Sequence, residues 1–193
     1  MGAFQTKYPG LTEDLLEEYT LLTYLNKGQI LYLMKKFHSI DPEKISMDYN
    51  HRVQKTDIIA KFEVLKNNPF QDRLFRVFSS HQDGCFSFED LLDLCSAMSY
   101  DCPAEVKAAW AFKIFDIDED NQITAKDICN ILDRITWDPN NRTNYLTQAD
   151  KMKIANTILE KVNLDKSGSV GLAEFRLMIT RIPEFSSSFY FRL

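Results

Sequence analysis

The sequence has only three histidines, His38, His51 and His81, and they form no HExxH or similar zinc-binding spacing. Its four cysteines, Cys85, Cys95, Cys102 and Cys129, are not arranged as CxxC and have no paired histidines nearby. Cys95 and Cys129 fall inside apolar helical patterns, so buried free thiols in a reducing compartment are expected. GxSxG, Walker A and protein-kinase motifs are missing. The carboxylates are accounted for by loops and helix faces, which leaves no orphaned pair for acid–base work, and the chain is not expected to be an enzyme. Apolar clusters such as Leu21–Leu25 fall far short of the ~20 residues of a membrane span, and no signal-peptide core opens the chain. Basic residues are also outnumbered, 23 Lys and Arg against 28 Asp and Glu, and the net charge of -5 argues against a nucleic-acid binder.

The chain does have apolar mass. With 45% hydrophobic and 12% aromatic residues among 193, it can bury a core as one large domain or two small lobes. Helix starts are well marked. Thr12 precedes the stripe Leu15, Leu16, Tyr19. Asn26 with Gln29 makes a capping box ahead of Ile30, Leu31, Met34 and Phe37. Asn68-Pro69 reads as an N-cap and first helical residue before Phe70, Leu74, Val77 and Phe78. Cys102-Pro103 opens Val106, Trp110, Ile114, and Thr147 with Asp150 precedes Ile154, Ile158, Leu159 and Val162. No alternating strand patterns lie between them, so the class is all-α.

Two loops carry chemistry. Asp116–Asp127 places oxygen donors at positions 1, 3, 5, 7, 9 and 12 of a twelve-residue EF-hand loop: Asp116, Asp118, Asp120, the Gln122 carbonyl, Thr124 and Asp127. A hard divalent cation wants about six to eight such oxygens. Asn121 stands at position 6, where Gly usually supplies a positive φ. Asp127 is one methylene shorter than the usual closing Glu and is expected to offer one oxygen, which suits octahedral Mg²⁺ as well as Ca²⁺. The second loop, Asn163–Glu174, offers Asn163, Asp165, Ser167, Ser169 at the carbonyl position and Glu174, with Gly168 at position 6. Glu174 favours Ca²⁺, but two carboxylates against four make this the weaker electrostatic site. Ile123 and Val170 occupy the same position in the two loops, the one β signal in the chain.

These units form an internal repeat. Helix–loop–helix units span about 104–135 and 148–182. A third, 70–99, keeps the skeleton without metal chemistry: Ser79–Asp90 has no carboxylate at positions 1 or 3, and His81 reads as a surface residue. A fourth, 27–66, is stretched by an insertion around 41–54. Four units make two lobes, since one unit cannot bury its apolar face alone. The expected organisation is an N-terminal arm and helix (1–26), a lobe with two inactive hands (27–99), a lobe with two metal-binding hands (100–182) and a tail (183–193).

The start Met1-Gly2-Ala3-Phe4-Gln5-Thr6 fits the N-myristoylation pattern with Gly2 as acceptor. One such chain binds membranes only marginally, with K on the order of 10⁴ M⁻¹, so attachment would be reversible. In the tail, Phe185, Phe189, Tyr190, Phe191 and Leu193 are too apolar to stay solvated. They read equally as core or as a removable plug in a groove.

The chain resembles the calcium and integrin-binding protein family. The resemblance rests on the Met1-Gly2 start, NPFQDRLFRVF (68–78), FSFEDLLDL (86–94), AFKIFDIDEDN (111–121), the closing Asp127 and the ending PEFSSSFYFRL (183–193). It implies a non-enzymatic adaptor with two inactive N-terminal hands, two metal-binding C-terminal hands and a C-terminal extension packed in a hydrophobic groove. It also implies partners that are helical segments of membrane proteins, such as integrin tails. SMDYNHR (46–52) resembles the branch associated with transmembrane channel-like (TMC) proteins of mechanosensory complexes. The chain departs from the family at Asn163, where Asp is usual, and by an insertion around 137–145.

The expectation is therefore a Ca²⁺/Mg²⁺-binding adaptor or auxiliary subunit, cytoplasmic and peripheral at the inner face of the plasma membrane. It would dock a partner's amphipathic helix in a groove lined by Ile114, Phe115, Ile131, Ile135, Ile158, Leu159, Phe175 and Met178. Periodicity alone fits simple core equally well for these residues. The rivals are a cytosolic calcium buffer, which would expose no groove, and a regulatory subunit of an enzyme such as a phosphatase.

Overall fold

The structure is a computed structural model that describes residues 8, 10–136, 146–162, 166–182, 184–185 and 189–191. The described chain is helical apart from short strands. In order it runs α1 (Glu13–Leu22), α2 (Lys27–His38), α3 (Pro42–Met47), β1 (Val53–Gln54), α4 (Lys55–Lys61), α5 (Glu63–Lys66), α6 (Gln71–Phe78), β2 (Cys85–Phe86), α7 (Phe88–Ala97), α8 (Ala104–Phe115), α9 (Ala125–Thr136), α10 (Gln148–Val162) and α11 (Leu172–Ile179). Two compact units result, Met1–Cys102 with Phe189–Leu193, and Pro103–Ser188. None of the described helices is long and apolar enough to cross a membrane.

Local capping explains most helix starts. The Thr12 hydroxyl accepts the Leu15 N–H at 3.2 Å and opens α1. Asn26 and Gln29 satisfy each other's backbone N–H at 3.0 and 2.9 Å, closing a capping box on α2. Ser87 and Asp90 do the same for α7 at 3.1 and 3.0 Å. Asn68-Pro69 behaves differently from the expectation. The Asn68 side chain accepts the Phe70 N–H at 2.8 Å, so these residues make a turn of their own, and α6 begins at Gln71.

In the first unit the core is aromatic. Phe88 packs against Phe37 at 5.6 Å and edge-on to Tyr19 at 6.2 Å, while Phe75 and Phe86 lie 4.4 Å apart. β1 and β2 pair antiparallel, Val53 opposite Phe86 and Gln54 opposite Cys85. In the second unit α9 packs on α10 and α8 on α11. Phe175 sits edge-on to Phe112 at 5.6 Å and to Phe115 at 6.2 Å.

All four cysteines are free thiols, three of them buried and Cys85 half-buried. Burial pushes the Cys95 thiol up to about 12. Because the thiolate is the reactive species, Cys85 is expected to be alkylated at least about tenfold faster than Cys95 at pH 8 in the folded protein. Mass spectrometry of iodoacetamide-quenched samples checks this, and equal rates would contradict the described burial.

The end of the chain takes a place the sequence did not indicate. The Phe191 N–H donates to the Met98 carbonyl at 2.9 Å, and residues 189–191 belong with the first unit. The expected groove residues all belong to the second unit.

Candidate metal centre

The first loop begins where α8 stops. The Asp116 N–H closes the last helical bond, to Phe112 at 2.8 Å, and the side chain turns into the loop. Its two oxygens accept the Asp120 and Asn121 N–H groups at 3.2 and 2.9 Å. The Asp120 carboxylate accepts the Gln122 N–H at 2.8 Å. Asp127, in the first turn of α9, reaches back across the loop. One oxygen accepts the Ile117 N–H at 3.1 Å, and the other accepts the Thr124 N–H at 3.0 Å and hydroxyl at 2.7 Å. Position 6 needs a left-handed backbone, and Asn121 supplies it at φ 66°.

These bonds bring like charges together. One oxygen from each of Asp116, Asp118 and Asp120 lies within 4.8 Å of the others. Asp116 is only 5% exposed and Asp127 1%. Burial holds the Asp116 carboxyl above the ordinary carboxylate range; the Asn121 and Asp120 N–H groups oppose that rise, and the nearby Asp120 and Asp127 charges add to it. Lys126 pairs with Asp118 at 3.1 Å, but both are exposed and the pair weighs little. An all-oxygen donor set, partly buried and mutually repelling, fits a hard divalent cation rather than a soft metal. Asp116, Asp118, Asp120, the Gln122 carbonyl, Thr124 and Asp127 are the residues that would hold it.

Asn163 and Asp165 of the second loop lie outside the described residues, as does Gly2. The remainder keeps loop geometry, with Gly168 at φ 91°. The Ser167 hydroxyl donates to the Ser169 carbonyl at 3.0 Å, and Glu174, in the first turn of α11, accepts the Gly171 N–H at 3.2 Å. The two loops are tied together. Ile123 and Val170 form an antiparallel bridge with both hydrogen bonds at 2.9 Å. The Ser169 hydroxyl donates to the Gln122 side chain at 2.9 Å, a link that the loop pattern alone does not reveal.

The expected groove residues separate into classes. Ile114, Leu159 and Phe175 are buried in the core and offer little surface. Phe115, Ile131 and Met178 are half-buried, whereas Ile135 on α9 and Ile158 on α10 are exposed, at 55% and 38%. The 3.6-residue period places all of them on apolar faces but cannot say which part of a face is covered.

Helix–loop–helix units joined through a short antiparallel bridge define an EF-hand protein, and the model of the EF-hand domain pair matches residues 82–135. The chain is 32% identical to human calcium and integrin-binding family member 2, over the whole of both chains. It is 30% identical to human family member 3, again over both chains entirely, and 30% identical to the Drosophila melanogaster member 2 over 94% of this chain and 96% of that one. The chain belongs to the calcium and integrin-binding family. Its class is thus that of calcium-binding EF-hand proteins, and these relatives' names describe binding rather than a reaction.

Proposed function

We propose that the protein is a Ca²⁺- and Mg²⁺-binding adaptor that docks an amphipathic helix from the cytoplasmic segment of a membrane protein, of the TMC-type channel or integrin-tail kind. The observation that carries this reading is a pair of exposed apolar side chains on the two packed helices that follow the acidic loop. Ile135 and Ile158 stand on α9 and α10, which pack together, and α9 leads straight out of the Asp116–Asp127 loop. Metal capture and an apolar surface thus share one element. An amphipathic helix would place i, i+3, i+4, i+7 anchors on such a face. The protein would work in the cytoplasm at the inner face of the plasma membrane, held by its partner and by a myristoyl group on Gly2.

The test is calorimetric titration of synthetic helices from such cytoplasmic segments, with Ca²⁺ and with chelator. Ile135→Asp and Ile158→Asp should each weaken docking at least about tenfold, since burying one such side chain is worth roughly 1.5–3 kcal/mol. Calcium binding should persist in both variants. If no helix binds in either state while metal binding is intact, the buffer reading replaces this one.

The first loop should also hold Mg²⁺ in the absence of Ca²⁺, because its closing residue is the short Asp127. Replacing Asp127 by Glu is expected to shift preference toward Ca²⁺, as a bidentate closing ligand favours the larger ion. An unchanged Mg²⁺/Ca²⁺ ratio in competition titrations would count against this role for Asp127.

A further inference from the structure

The loop Ser79–Asp90 lacks the acids of a metal site, yet it is built like one. At positions 4 and 6 it has Gln82 at φ 53° and Gly84 at φ 75°, where the first metal loop has Glu119 at 61° and Asn121 at 66°. Its closing Asp90 accepts the Ser80 and Ser87 N–H groups, both at 3.0 Å, as Asp127 accepts those of Ile117 and Thr124. Asp83 accepts the Cys85 N–H at 2.9 Å, as Asp120 accepts that of Gln122. The same fold of the loop therefore persists with only two carboxylates, Asp83 and Asp90, at its ligand positions.

One side chain fills the centre. Arg52 precedes Val53, which pairs with Phe86, just as Gln122 precedes Ile123, which pairs with Val170. In the second unit the Gln122 side chain crosses to Ser169 of the neighbouring loop. In the first unit the equivalent crossing delivers a guanidinium. Arg52 Nη2 donates to the Ser79 hydroxyl at 3.0 Å, to Asp83 at 2.7 Å and to the Cys85 carbonyl at 2.8 Å. Nη1 donates to Asp90 at 2.9 Å and to the Ser80 hydroxyl at 3.0 Å, and Nε to the other Asp83 oxygen at 3.0 Å. Ser79, Asp83, the Cys85 carbonyl and Asp90 are positions 1, 5, 7 and 12, four of the places from which an EF-hand loop addresses its ion.

We propose that Ser79–Asp90 is a cation site whose cation is the chain's own Arg52 guanidinium, which holds this hand in its loaded loop form without metal. The planar fork of five donors suits a ring of oxygens, and a single positive charge suits two carboxylates where the first metal loop has four. Hydrogen bonding from Arg52 also holds the Asp83 carboxyl well below the usual carboxylate range. An exposed ion pair would contribute little here. This arrangement differs because Asp90 is buried and Arg52 mostly covered, with side-chain exposures of 4% and 20%.

The experiment is hydrogen exchange by mass spectrometry on the full chain. In the native protein, peptides covering 79–90 should keep their protection when metal is chelated, while those covering 116–127 lose theirs. Arg52→Gln should speed exchange in 79–90 at least about tenfold, the loss expected when hydrogen bonds to a charged group are removed. Millimolar methylguanidinium should restore part of that protection, and the same concentration of urea should not. Arg52→Lys, which keeps the charge but not the fork, should fall between the two and serves if the Gln variant does not fold. The proposal is overturned if Arg52→Gln changes exchange in 79–90 by less than twofold, or if the native 79–90 segment responds to chelator as 116–127 does.

Discussion

Saturating Ca²⁺ is expected to raise the melting temperature of the second unit by roughly 10–20 °C over the chelated protein. A ligand that binds only the native state stabilises by RT ln(1 + [L]/Kd), about 2.7 kcal/mol at a hundredfold excess over Kd. For a unit of this size each kcal/mol moves the midpoint by roughly 4–8 °C. The effect is this large because the empty loop is strained electrostatically: Asp116, Asp118 and Asp120 converge within 4.8 Å, and Asp116 is buried among them. Scanning calorimetry with and without chelator measures the shift. Asp118→Asn, at an exposed position, should fold and show a much smaller response. Equal melting with and without calcium would remove the Asp116–Asp127 loop as a metal site.

Phe88→Ala should destabilise the first unit strongly. The ring is fully buried, packed on Phe37 at 5.6 Å and Tyr19 at 6.2 Å, and it stands in the first turn of α7 directly after the Ser87 cap. Truncation of a buried aromatic costs about 3–5 kcal/mol through lost transfer energy and the cavity left behind. The loss should be the same with calcium or chelator, since Phe88 belongs to the first unit. Urea unfolding followed by exchange in peptides from 70–97 reads it out. A loss under about 1 kcal/mol would mean that the surrounding rings collapse onto the gap, contrary to the usual stiffness of close-packed cores.

The loop form of Asp116–Asp127 was legible in the sequence because its signature is local. Six donors at set spacings, and a residue that tolerates φ > 0 at position 6, need no knowledge of the rest of the fold. The same holds for the Asn26–Gln29 capping box, whose partners lie within one turn, and for Ile123 and Val170, which mark the bridge by their shared loop position. What depends on distant packing was not legible. Nothing near Ile114 or Ile135 tells that one is core and the other surface. The tail's aromatic content shows that it must be covered, but only the Phe191–Met98 bond shows which unit receives residues 189–191. The role of Arg52 was not legible because the loop it enters departs from the ligand pattern and the contact depends on a β1–β2 pairing between segments far apart in sequence. A lone arginine just before the short strand of a metal-free hand is the signal to look for.

The Ile123–Val170 bridge would have a thermodynamic consequence for metal binding at the two loops it joins. Each loop's position 8 is held by the other's, so a cation that orders one loop prepays part of the conformational entropy the other must surrender. Were both loops to take an ion, the sites would be cooperative, and linkage would make the effect reciprocal: the factor by which a first ion tightens the second loop would equal that by which an ion in the second tightens the first. A weak loop with few charges would thereby borrow affinity from its acidic neighbour through two backbone hydrogen bonds.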